Sequence, residues 1–110
     1  MGLNFFKKMG AKIQVAKLNK SLFNAAKVGS LSVVKAALEN GADVNAKTND
    51  GWTALMYASY KKPIDVAKLL IENGADVNAK TNDGWTALMG ASDMGHTDVA
   101  KMLTANGWKW

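Results

Sequence analysis

The 110-residue sequence contains no cysteine and only one histidine, His96. Without cysteine the chain has no disulfide, no thiolate nucleophile and no cysteine-based zinc site. A single histidine also excludes a metal site that needs several histidines from one chain. The ten glycines form neither G-x-G-x-x-G nor a P-loop, so no phosphate-binding loop is predicted. We therefore expect no metal and no cofactor.

A Ser-His-Asp group can be assembled on paper from Ser92, His96 and Asp98. They lie so close along one loop and helix start that they would not form a pocket or an oxyanion hole. His96 follows Gly95 and is predicted to make a contact at the start of a helix. We expect the protein not to be an enzyme.

Long hydrophobic runs are also missing. No apolar stretch approaches the roughly 18 residues of a membrane span, and the N-terminal region lacks the continuous apolar core of a signal peptide. A soluble, cytoplasmic protein is the resulting expectation. The net charge of +5 comes from the first twenty residues, which hold five lysines and no acid. Any binding to membrane or nucleic acid would depend on that segment alone, and no nucleic acid is expected.

The main positive feature of the sequence is an internal repeat. Residues 39–56, ENGADVNAKTNDGWTALM, recur unchanged at residues 72–89, which gives a period of 33 residues. A weaker third copy ends at Asn106, Gly107 and Trp108. A fixed period of this size is typical of stacked repeats, in which no unit buries its core alone.

The repeated unit resembles the ankyrin repeat. The order GADVNA, then D-G-x-T-x-L, then an alanine-rich helix is similar to that family, and its T-P-L-H-x-A signature appears at residues 53–58 and 86–91 with Ala for Pro and Met for His. The resemblance implies an all-α ankyrin-repeat solenoid with short β-hairpin-like loops, and repeats at about residues 19–49, 50–82 and 83–110. Met56 and Met89, in place of the family's histidine, are expected to contribute by packing.

Each unit is predicted to contain a second helix, at about residues 31–40, 64–73 and 97–106. Two apolar positions four residues apart on each helix are predicted to form the stacking core: Val33, Val66 and Val99, and Ala37, Leu70 and Leu103. A glycine with positive φ is predicted to close each helix: Gly41, Gly74 and Gly107.

The loops between paired helices differ in the second unit. The first and third units have Gly29 and Gly95 there, whereas the second has Lys62 followed by Pro63. A positive φ at this position would strain Lys62, because its Cβ disfavours that conformation.

The four aspartates of the loops, Asp43, Asp50, Asp76 and Asp83, lack the alternate-residue spacing of a calcium loop. We interpret them as turn residues that bond nearby backbone N–H groups.

Residues 1–18 are predicted to form a basic amphipathic helix. Phe5, Phe6, Met9 and Ile13 fall on one side of it, with lysines elsewhere. Three interpretations are open: a cap over the first repeat, a helix at a membrane surface, and a docking helix for a partner or a second copy.

The resemblance implies a concave face, made by the hairpin tips and the exposed side of the first helix of each unit, as the binding surface for a protein partner. The candidate partner-binding residues on it are Trp52, Tyr57, Tyr60, Lys61, Trp85, Asp93 and Met94. Lys27 and Val28 are the matching positions of the first unit. Trp52 and Trp85 belong to the exact duplication, so they are also open to a purely structural interpretation, in which they pack on neighbouring hairpins.

The sequence therefore predicts a non-catalytic protein-protein interaction module, such as an inhibitor, an adaptor or an immunity-type partner. One alternative is a self-associating structural or engineered scaffold that pairs through the N-terminal helix or through Trp108 and Trp110. A weaker alternative is membrane attachment through the N-terminal helix. The partner itself is not identified by the sequence.

Overall fold

The computed structural model describes residues 2–61 and 64–108, and their side chains from Val15 onward. These residues contain six helices and no strand: α1 (Gly2–Val28), α2 (Leu31–Glu39), α3 (Ala54–Lys61), α4 (Ile64–Glu72), α5 (Ala87–Asp93) and α6 (Thr97–Ala105). Successive helices form three helix-turn-helix pairs, as the 33-residue period predicts.

The helices stack in two layers. The inner layer places α1 beside α3 and α3 beside α5, and the outer layer places α2 beside α4 and α4 beside α6. Ala25, Ala58 and Ala91, one period apart in the inner helices, are all buried. Their small side chains let the inner helices approach closely, while larger residues such as Leu22 and Leu70 fill the space between the layers.

One predicted core position is wrong in the first unit. Val66 and Val99 are 1% and 0% exposed, but Val33 is 45% exposed and its neighbour Val34 is buried instead. The reason is the position of α2 in the stack, since α4 and α6 each follow another outer helix and α2 has none before it. The second set of core positions, Ala37, Leu70 and Leu103, is confirmed.

The outer helices are closed by the predicted glycines, but each helix ends one residue before its predicted last residue. Each is followed by an asparagine whose side-chain amide donates to the carbonyl four residues before it: Asn40, Asn73 and Asn106, at 2.7, 2.8 and 2.7 Å. The glycine that follows each asparagine has a positive φ, of 105°, 90° and 99° along the chain. The helix-closing role of Gly41, Gly74 and Gly107 is confirmed.

The N-terminal region forms one helix with the first inner helix, because α1 runs through residue 18 without interruption. The side chains of Phe5, Phe6, Met9 and Ile13 lie outside the described residues. The cap over the first repeat, the membrane-surface helix and the docking helix all stay predictions. The division between an N-terminal segment and the repeats at residue 18 also stays a prediction. None of the helices in the described residues has the length and hydropathy needed to cross a membrane.

Lys62, Pro63 and Trp110 also lie outside the described residues. The positions that match Lys62 in the other units, Gly29 and Gly95, have φ values of 76° and 72°.

In each of the two hairpin loops, a threonine makes two hydrogen bonds across the turn to the tryptophan four residues on. In the first loop, the N–H of Thr48 donates to the carbonyl of Trp52 at 2.9 Å, and its hydroxyl accepts from the N–H of Trp52 at 3.1 Å. Thr81 and Trp85 repeat both bonds in the second loop, at 2.8 and 2.9 Å. These bonds fix the backbone of both tryptophans just before the inner helices α3 and α5.

Candidate protein-binding surface

Neighbouring loops are tied to each other by asparagine side chains. Asn82 of the second loop donates its side-chain amide to the carbonyl of Asn49 at 2.9 Å and its backbone N–H to the carbonyl of Asp50 at 3.0 Å. Asn45 accepts from the N–H of Asp76 at 2.7 Å. In the first unit, which has no preceding hairpin, Asn19 of α1 accepts from the N–H of Asp43 at 2.8 Å. The hairpin tips therefore form a connected rim.

The structure confirms the predicted bonds to backbone N–H groups for two of the four loop aspartates. The carboxylates of Asp43 and Asp76 accept from the backbone N–H two residues on, both at 2.9 Å. Asp83 instead accepts a hydrogen bond from the side-chain hydroxyl of Thr81. Asp50 is exposed at the hairpin tip, and its carboxylate makes no such bond within the described residues.

A row of three half-buried aromatic rings crosses the inner helices and the first hairpin. The Trp52 ring stacks on Tyr57, with centroids 5.0 Å apart and planes inclined by 26°. Phe23 of α1 meets Tyr57 edge-on, with centroids 6.1 Å apart. The ammonium of Lys27 lies 4.7 Å from the Tyr57 centroid. We call Phe23, Tyr57 and Trp52 the aromatic row.

The third unit lacks this row because Gly90 stands where the second unit has Tyr57. A Cβ built on Gly90 would lie 3.5 Å from the indole nitrogen of Trp85 and 3.7 Å from Cβ of Tyr60. Trp85 and Tyr60 therefore pack against Gly90, at the position that the Tyr57 ring occupies in the second unit. The ammonium of Lys61 lies 5.8 Å from the Tyr60 centroid.

The seven candidate residues thus fall into groups. Trp52 and Tyr57 are in contact, while Tyr60 adjoins both Lys61 and the Trp85 region. Asp93 and Met94 are exposed at the end of α5.

The sequence did not predict Phe23 as a surface residue, because Phe23 aligns with Met56, a core position in the second unit. The missing hairpin before α1 was the signal that could have revealed its half-exposed position.

His96 occupies the N-cap position of α6, but its ring makes no capping hydrogen bond. Its Nε2 lies 3.0 Å from the carbonyl oxygen of Tyr60, to which it donates because a carbonyl only accepts. The residue therefore links the third unit to the second. No group of three or more potential metal ligands occurs in the part of the chain that the structure describes.

Two recesses of similar size open along the hairpin rim. One, of about 390 Å³, lies between the two hairpin tips and is lined by Asp50, Trp52, Asn82 and Asp83. The other, of about 370 Å³, lies between α1 and the first hairpin, and its lining includes Lys20, Lys47 and Phe23. Each recess contacts one end of the aromatic row.

Three stacked helix pairs joined by tied hairpin loops define a helical-repeat protein. A sequence model of the family described as ankyrin repeats (3 copies) matches residues 22–109. The chain belongs to the ankyrin repeat family. Ankyrin repeats are generally protein-protein interaction modules, and the family is generally non-catalytic.

Proposed function

We propose that this chain is a non-catalytic binding module that holds a protein partner on its concave face, as an inhibitor, an adaptor or an immunity-type partner. The binding residues in this proposal are the seven predicted ones together with Phe23 and Lys27. The aromatic row is the observation that carries the proposal. Its three rings are half-buried and held by contacts with one another, which leaves apolar area available at small entropic cost.

Divergence between the two inner helices supports the same assignment. Tyr57 and Tyr60 of α3 correspond to Gly90 and Asp93 of α5, although the preceding 18 residues are identical. The structural interpretation of Trp52 fits its stacking on Tyr57, yet both rings remain partly exposed. Packing and partner contact are compatible roles for such a ring.

The test is a partner isolated by affinity capture from the source cell and then measured with purified variants. Trp52→Ala and Tyr57→Ala are each expected to weaken binding by about thirtyfold or more, the effect of a central aromatic contact. Trp85→Ala measures whether the third unit takes part. Lys68→Ala, an exposed change on α4 in the outer layer, is the matched control and should leave the dissociation constant unchanged. Unchanged binding by both aromatic variants would contradict the proposal.

Self-association is the second candidate function, favoured by the two ends of the stack. Val33 at the first end and Met89 at the last are 45% and 43% exposed, although their counterparts inside the stack are buried. A head-to-tail contact between two copies would cover both. Molecular mass in solution at two concentrations tests this candidate, with Val33→Lys and Met89→Lys expected to restore the monomer. A monomeric mass at both concentrations rejects it.

A further inference from the structure

Each outer helix is closed by an asparagine that is followed directly by a glycine. In this dipeptide the backbone nitrogen of the glycine can attack the side-chain amide of the asparagine, because glycine has no Cβ to hinder the approach. The attack converts asparagine to aspartate or isoaspartate. The chain contains three such pairs, all exposed: Asn40 with Gly41, Asn73 with Gly74, and Asn106 with Gly107.

The asparagine side chains are held alike in the three pairs, but the attacking nitrogens are not. The N–H of Gly41 donates to the carbonyl of Leu38 at 3.1 Å, and the N–H of Gly74 donates to that of Ile71 at 3.0 Å. Within the described residues, the N–H of Gly107 makes no such bond. The nitrogen that the reaction needs is therefore tied up in the first two pairs and available in the third.

The backbone at the end of α6 accounts for this difference. Asn106 has φ −104° and ψ 25°, whereas Asn40 has φ −91° and ψ 4°. Since ψ sets the direction of the peptide group that follows, the Gly107 N–H points differently from the Gly41 N–H. The next closing bond is also longer, 3.3 Å from the Trp108 nitrogen to the Leu103 oxygen against 2.9 Å from Ala42 to Ala37.

We propose that Asn106 is a site of spontaneous deamidation, the most reactive of the three asparagines in the folded chain. Base removes the proton from the Gly107 nitrogen, which then forms a bond to Cγ of Asn106. The bond from Cγ to Nδ2 breaks, and ammonia leaves with a proton. Water next adds to one carbonyl of the cyclic imide and opens the ring, which gives aspartate or isoaspartate.

Either product would loosen the end of the third unit. The Asn106 amide donates to the Met102 carbonyl at 2.7 Å, and a carboxylate cannot make this bond because it only accepts. A negative charge at the C-terminus of a helix is also unfavourable. Isoaspartate lengthens the main chain before Gly107, whose carbonyl accepts from the Asn78 amide at 3.1 Å. The inference does not depend on partner binding.

The experiment incubates the full chain in its folded state at mildly alkaline pH and follows each asparagine by mass-spectrometric peptide mapping. Asn106 is expected to react about twofold to tenfold faster than Asn40 or Asn73, because the other two glycine N–H groups must first break a hydrogen bond. The rate should rise with pH, since the attacking nitrogen must lose its proton. Equal rates at the three sites, or a slower rate at Asn106, would overturn the proposal.

Two controls separate the effect of structure from that of sequence. In concentrated urea the helix-closing bonds are lost, so the three rates should become similar. An unchanged preference for Asn106 in urea would reject the structural explanation. Asn106→Gln should remove most of the early deamidation of the folded chain, whereas the matched change Asn73→Gln should remove little of it.

The effect on the fold has its own readout. Asn106→Asp introduces the charge and removes the amide donor without waiting for the reaction. Amide hydrogen exchange in α6 is expected to speed up by about twofold or more, while exchange in α2 stays unchanged, because the change acts on one end of the stack. Unchanged exchange in α6 would show that deamidation does not open this end.

Discussion

The same 18 residues occupy two environments in this molecule. In the second unit Met56 is 1% exposed and Leu55 is fully buried, whereas their copies in the third unit, Met89 and Leu88, are 43% exposed and half-buried. The copy at residues 39–56 leads into a helix that has another unit on either side, while the copy at residues 72–89 leads into the last unit of the stack. Identical sequence therefore gives the same backbone hydrogen bonds at the hairpins and helix starts but unequal burial.

Local structure is shared because it depends on neighbours in the chain. Thr48 and Thr81 make the same pair of hydrogen bonds at the two hairpin tips, and Thr53 and Thr86 accept from the N–H three residues on at 3.3 and 3.2 Å. Burial depends on which element packs against a residue, as is usual for stacked repeats, where each unit contacts only its neighbours. The duplication offers matched pairs of substitutions that separate these two contributions.

The largest expected difference is at the methionine pair. Met56→Ala should lower the free energy of unfolding by about 2–5 kcal/mol, because it leaves a cavity in a packed core. Met89→Ala changes the same residue type at a partly exposed site and should cost less than about 1 kcal/mol. Urea unfolding followed by helical circular dichroism measures both values.

The Met56 side chain has one further contact, since its sulfur lies 3.4 Å from the backbone nitrogen of Thr53. Methionine was expected to contribute by packing alone, so this weak hydrogen bond adds to its role.

Equal losses of unfolding free energy for Met56→Ala and Met89→Ala would contradict the prediction. They would show that an exposed methionine stabilises the fold as much as a buried one.

The fold was predictable from the sequence to the extent that it follows local rules. The 33-residue period, the outer helices and the closing glycines depend on residues close in the chain, and all three are found in the structure. Val33 was misplaced because alignment by period assigns every unit the same surroundings. Position in the stack, not residue type, decides that Val33 is exposed and Val66 is buried.

The candidate surface was predictable in composition but not in arrangement. The hairpin tips and inner helices supply Trp52, Tyr57 and Tyr60 as expected for the family, and their use in binding stays a prediction. The stacking of Trp52 on Tyr57 joins a loop to a helix, and the contact of Phe23 with Tyr57 joins two units. Such contacts depend on side-chain geometry across elements, which the period of a sequence does not contain.

A smaller difference is expected at the glycine pair of the hairpin tips. Gly51 and Gly84 have nearly the same φ, 88° and 86°, so alanine costs each about 1–2 kcal/mol in backbone strain. A Cβ on Gly51 would also lie 2.8 Å from Oδ1 and 2.9 Å from the backbone nitrogen of Asn82, whereas a Cβ on Gly84 meets nothing within 4 Å. Gly51→Ala should therefore cost about 1–3 kcal/mol more than Gly84→Ala, the usual range for overpacking.

The same urea measurement applies to the glycine pair, with Gly84→Ala as the control for backbone strain. Equal destabilisation would mean that the second loop moves away from the first at little cost. In that case the contacts of Asn82 with the first loop would not hold the hairpin rim together.

The threonine pair should show no difference at all. Thr53 and Thr86 are both buried, and each accepts from the N–H of the methionine three residues on, within its own loop and helix. Replacing either by alanine removes the same local bond at a helix start and should cost about 1 kcal/mol. Because this bond does not involve the next unit, the two losses should be nearly equal. A larger loss for Thr53→Ala in urea unfolding would show that the bond at the helix start also depends on the neighbouring unit, and that the two copies differ in local structure as well as in burial.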